Sequence, residues 1–242
     1  MVRKSMDYFK EYFQESRTPL YSLLITTPLL IIYETLLYKL NQSDVTGIRN
    51  AADVLIRRIF HHFDIYGFYI VGVIIFVSMF LAFYFRFQRN KNAHLNLNFF
   101  VLMVVESLVY AFVLVIVMNR SSYLLSSPSQ FNTHSQLFVM ALGAGIYEEF
   151  VFRFIMISAG LFFFNKLLKW NKNPSKIASV ILGALLFSLF HYIGRFGEAF
   201  QIKSFLLRTI AGLLLSIIYV FRGYGITAYT HILYDLILIY IY

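Results

Sequence analysis

Leu97–Met118 reads LNFFVLMVVESLVYAFVLVIVM, 22 residues in which Glu106 is the one charged side chain. About 20 apolar residues wound as a helix cross the ~30 Å hydrocarbon core of a bilayer. A soluble helix needs a continuous polar face, and this stretch has none, so it reads as a membrane span. Similar apolar runs lie at 20–40, 66–85, 137–168, 177–193, 205–221 and 226–241. The run at 137–168 is too long for one upright span, so it is expected to tilt, protrude or break near Gly143 and Gly145. A break there would add an eighth element. The fold expected is an all-α polytopic transmembrane bundle of seven or eight spans with interfacial amphipathic helices.

Composition agrees: 59% of the 242 residues are hydrophobic and 14% are charged, against about 25% charged in a soluble domain. The net charge of +9 would suggest nucleic acid in a soluble protein. Here the Lys and Arg residues sit in short connections between apolar runs, where anionic lipid and membrane orientation account for them better. The bilayer, and no nucleic acid, is therefore the expected surrounding. The alternation of basic loops places the N-terminus on the cytoplasmic side of the cell (inner) membrane. Residues 1–18, with Met6, Phe9 and Phe13 at helical spacing, and residues 45–63, with Val54, Leu55 and Ile59 opposite Arg57 and Arg58, read as helices lying on the membrane surface. Without cysteine there is no disulfide, thiolate ligand or cysteine nucleophile.

A charge near the bilayer centre costs about 2.5–3.5 kcal/mol on insertion scales, which makes ionisable residues inside the runs candidates for function. They are Glu34, Glu106, Glu148, Glu149, Arg153, His191, His231 and Asp235. Glu149 and Arg153 are i, i+4 with the acid first, which lets them neutralise each other along one helix face. Glu148 points about 100° away from Glu149 on a helix of 3.6 residues per turn and needs another partner or a task. A carboxylate in a partly dry cavity suits general base and acid work. His191 closes its run, while His231 and Asp235, i and i+4, share a face with Thr227. That polar stripe must meet protein or water rather than lipid. Glu34 and Glu106 stand singly and read as interhelical pairing residues.

Taken in order, Glu148-Glu149-x-x-x-Arg153, Phe187-x-x-x-His191 and His231-x-x-x-Asp235, each on its own helix, resemble the CPBP intramembrane protease family. That family includes the type II CAAX prenyl endopeptidases and bacterial proteins linked to bacteriocin processing and self-immunity. The resemblance divides the chain into residues 1–136, an amphipathic helix and three spans, and residues 137–242, the protease core. It implies that Glu148 activates the attacking water with the help of His191, and that Glu149 and Arg153 hold the site in shape. It also implies that His231 and the residue at the Asp235 position stabilise the oxyanion. The prenyl endopeptidases have Asn where this chain has Asp235, and an ionised Asp cannot donate a hydrogen bond. Asp235 is then protonated, or orients His231, or serves a metal. Glu148, His191, His231 and Asp235 would make a zinc set with an open position, although there is no HExxH helix. The preferred reading needs no cofactor.

The expected function is hydrolysis of a peptide bond in a membrane-anchored, lipidated or leader-bearing substrate. A proton-coupled transporter and a catalytically silent scaffold or immunity factor are the alternatives.

Overall fold

Among the described residues the apolar runs become helices with few surprises in their limits. In the computed structural model, which describes residues 2–40, 49–61, 77–78, 81, 84, 95–118, 134–193 and 197–241, no strand occurs among the described residues. The helices are α1 (Val2–Glu15), α2 (Pro19–Leu40), α3 (Ala51–His61), α4 (Leu97–Met118), α5 (His134–Leu167), α6 (Lys172–Phe190), α7 (Ile202–Arg222) and α8 (Tyr224–Ile241). Five of them, α2, α4, α5, α6 and α7, are long and apolar enough to cross a membrane. The expected count of seven or eight is not reached among the described residues. The run at 66–85 falls largely outside them, and α8, which carries His231, Asp235 and two threonines, is not among the five.

Residues 134–167 do not break at Gly143 or Gly145. They form one 34-residue helix, about 50 Å long at 1.5 Å per residue. The expected interruption is replaced by wider, π-helical turns at Ala144–Glu148 and Phe150–Ile155, on either side of Glu149, and again at Phe163–Leu167. Such turns in α-helices are rare and are frequent at functional sites.

α8 is the central helix. It packs against α2, α4, α5 and α7, which explains how a helix bearing buried Thr227, Thr230 and His231 avoids lipid. Gly223, at φ 81°, ends α7 in a conformation that glycine adopts freely, and α8 starts at the next residue. Gly145 brings α8 onto α5: a Cβ there would lie 2.3 Å from Ile232 Cγ1 and 2.7 Å from the Ala228 carbonyl oxygen. The second of these is backbone and cannot swing aside. Gly145→Ala is therefore expected to destabilise the protein by about 1–3 kcal/mol through overpacking, visible as a lowered thermal midpoint in detergent. The small residues of the other helices also pack closely, with Ser179 facing Gly160 and Ala184 facing Gly212.

Both single acids are paired. Arg222 grips Glu106 with Nε at 2.5 Å and Nη2 at 2.9 Å, and Tyr12 of α1 donates to the same carboxylate. A further Arg222 contact to Ser16 Oγ, at 2.8 Å, fastens the end of α1 to the bundle, while Met6, Phe9 and Phe13 stay exposed. Glu34 accepts from Arg57 Nη2 at 2.5 Å and Tyr147 Oη at 3.1 Å, with Arg49 at 3.6 Å. This second cluster fastens α3 to the bundle. Arg57 turns inward, bonding Asp53 at 2.6 Å, whereas Leu55 and Ile59 are exposed. Burial works against the charge of Arg57, but Asp53 and Glu34 outweigh it and hold its pKa above the ordinary value.

Candidate functional site

Two adjacent acids on α5 meet different surroundings. Glu149 is fully buried, and its Oε1 is shared by Arg153 Nη1 at 3.0 Å and His231 Nδ1 at 2.7 Å. The pairing with Arg153 expected from the i, i+4 spacing is present, and α8 adds a third member that the spacing did not reveal. Glu148 is 7% exposed. Its Oε1 accepts a hydrogen bond from Asn50 Nδ2 at 2.8 Å, and among the described residues its Oε2 accepts none.

Phe187 is the ring around which the other groups gather. The Arg153 guanidinium lies 4.3 Å above it, a cation–π contact. The imidazoles of His191 and His231 approach it edge-on, with ring centroids at 5.1 and 6.4 Å. His191 follows directly on α6, and its Nδ1 donates to the Phe187 carbonyl at 2.9 Å. That hydrogen bond fixes the tautomer and leaves Nε2 as the nitrogen with a lone pair. The turn after His191 is held in place as well. Glu198 N–H donates to the His191 carbonyl at 3.0 Å, and one nitrogen of Arg208 donates to both Glu198 oxygens at 2.7 and 2.8 Å.

Of the six ionisable motif residues, the structure joins Glu149, Arg153 and His231 by direct contact, with Asp235 Oδ2 3.6 Å from His231 Nε2. Glu148 lies within electrostatic range of His191, His231 and Asp235. Exposure rises along this series, with side-chain values of 0% for Glu149, 9% for His231 and 26% for Asp235. Among the described residues no three His, Cys, Asp or Glu side chains converge as metal ligands, and His191 and His231 each spend Nδ1 on an oxygen and keep Nε2.

Sequence reasoning missed Asn50, Glu198 and Arg208. Asn50 is 98 positions from Glu148, and an asparagine before a helix signals a cap and nothing more. Glu198 and Arg208 belong to a connection and an otherwise apolar helix, and no short motif links them to His191.

Neither a curated protein nor a solved structure matches the chain. Residues 130–237 match the family model described as type II CAAX prenyl endopeptidase Rce1-like, and all six motif residues fall within that match. The match to this stretch supports the resemblance of its motifs to the CPBP intramembrane proteases.

Proposed function

We propose that the protein is an intramembrane endopeptidase that hydrolyses a peptide bond in a membrane-anchored, lipidated or leader-bearing substrate without a covalent intermediate. The observation that carries this reading is the contrast between the adjacent acids. Glu149 is sealed at 0% exposure and paired through Oε1 with Arg153 and His231, whereas Glu148 is 7% exposed and, among the described residues, is hydrogen-bonded through one oxygen only, which leaves the other for a water molecule. That is the state of a group with a proton to accept.

In the proposed reaction Glu148 Oε2 takes a proton from water while Nε2 of His191 accepts a hydrogen bond from the same molecule. The hydroxide oxygen bonds to the scissile carbonyl carbon, and the C=O electron pair becomes an oxyanion. A donor preorganised at that oxyanion is worth several kcal/mol in a dry site, and His231 is the donor closest to hand. Collapse of the tetrahedral intermediate breaks the C–N bond, and Glu148 returns its proton to the leaving amine. Of the three roles open to Asp235, we favour orienting the imidazole by charge: its Oδ2 lies 3.6 Å from His231 Nε2, beyond hydrogen-bond reach, so that N–H stays available to the oxyanion. Asp235→Asn is then expected to keep cleavage within about tenfold of wild type, a difference of roughly 1.4 kcal/mol.

The test is cleavage by purified protein in nanodiscs. Membrane-anchored reporters with varied C-terminal tails are presented to wild type, Glu148→Gln and His191→Ala, with and without a zinc chelator. Cleavage by wild type that survives chelation and is lost in both variants supports the metal-free reading. Loss on chelation with recovery on added zinc overturns the metal-free part. Equal cleavage by all three proteins overturns the site.

A further inference from the structure

The partner of Glu148 comes from outside the matched domain. Asn50 stands at the N-cap of α3: its Oδ1 accepts from the Ala52 N–H at 2.8 Å and its carbonyl accepts from the Val54 N–H at 3.0 Å. The orientation of its side chain is thereby fixed by its own helix. With Oδ1 committed to the cap, Nδ2 is the atom that faces Glu148 Oε1, at 2.8 Å. The carboxylate also sits at the N-terminal end of α3, where the helix dipole favours negative charge.

The neighbourhood is shaped to bring α3 this close. A Cβ on Gly143 would lie 2.9 Å from Asn50 Cβ and 2.8 Å from Tyr33 Cε2, so glycine at 143 lets the cap reach α5. The same face of α3 is fastened by Tyr33 Oη to Asp53 at 3.0 Å, Arg49 to Asp53 at 2.8 Å and Arg57 to Glu34 at 2.5 Å. Asn50 itself is 4% exposed, and nothing in a bare capping role requires such burial against an acid of another helix.

We propose that Asn50 is a positioning residue of the active site. It holds Glu148 by one oxygen and turns the other toward the attacking water, which makes segment 49–61 a working part of the protease although it lies outside residues 130–237. This rests on the endopeptidase reading.

Asn50→Asp separates positioning from capping, because Asp and Asn cap helices about equally well while Asp replaces the donor NH2 by a second acceptor facing Glu148. A residue that only capped α3 would tolerate the change. A positioning residue loses kcat on the order of 100-fold with KM within about threefold of wild type. Stability is read in parallel. Asn50→Asp is expected to lower the thermal midpoint, and the double variant Asn50→Asp/Glu148→Gln, in which donor and acceptor are exchanged, is expected to regain most of the loss while staying inactive. Wild type and Asn50→Asp cleaving alike would overturn this role and leave the endopeptidase reading standing. Additive midpoint losses in the double variant would overturn the contact itself. No cleavage by wild type would overturn both the reading and the role that rests on it.

Discussion

Glu148→Gln is expected to lower the rate of reporter cleavage by about 10³-fold or more while moving the thermal midpoint by no more than a few degrees. The side chains have nearly the same shape, and the Gln carbonyl oxygen still accepts from Asn50 Nδ2, so the buried contact at 2.8 Å is retained. What disappears is the capacity to take a proton from water and return it to the leaving amine, a contribution of typically 10²–10⁴-fold for a positioned acid–base group. The second carboxylate cannot substitute, because Glu149 is fully buried with its Oε1 already engaged by Arg153 and His231. A variant that keeps more than about a tenth of wild-type activity, a loss of less than about 1.4 kcal/mol in the barrier, would mean that another group activates the water.

Arg153→Met is expected to show the opposite pattern, a large loss of stability. Arg153 and Glu149 have side-chain exposures of 1% and 0% and lie 3.0 Å apart. Removing the cation leaves a buried carboxylate with, among the described residues, His231 as its one direct partner and forfeits the contact with the Phe187 ring at 4.3 Å. Breaking a buried pair from one side costs about 3–5 kcal/mol. At roughly 2–4 °C per kcal/mol for a chain of this size, the midpoint should fall by about 10 °C. The double variant Glu149→Gln/Arg153→Met, with both charges gone, should recover more than half of that, since a buried pair contributes little beyond its own compensation. A single variant as stable as wild type would show that Arg153 does not balance Glu149. Thermal unfolding in detergent, followed by tryptophan fluorescence or loss of soluble monomer, reads both.

The bundle was legible in the sequence wherever lipid dictates composition. The stretches that became α2 and α4 could be bounded to within a residue, because an apolar run of 22 positions has few other uses. The motif residues stood out for the same reason: acids and histidines are conspicuous in apolar helices. Three things were hidden. Widening the turns around Glu149 changes the hydrogen-bond ladder and leaves composition untouched, so no pattern announced it. The ion pairs of α3 gave no sign of themselves, because arginines opposite an apolar face are assumed to seek water, whereas Arg49 and Arg57 pair with Glu34 and Asp53 inside the protein. The hydrogen bond from Asn50 to Glu148 depends on how two helices meet, and a sequence carries no periodic trace of such a meeting.

The central place of α8 has a consequence for how the protein is made. Synthesis runs from the N-terminus, so Glu149 emerges from the ribosome 82 positions before the histidine that will share its oxygen. During that interval α5 must tolerate an acid at a position that the finished protein shields completely. Arg153, one turn further along the same helix, supplies a counter-charge as soon as that turn is wound, without waiting for any other helix. The local ion pair thus works as a temporary companion for the acid during biogenesis, and the polar centre closes only when α8 slides between its four neighbours.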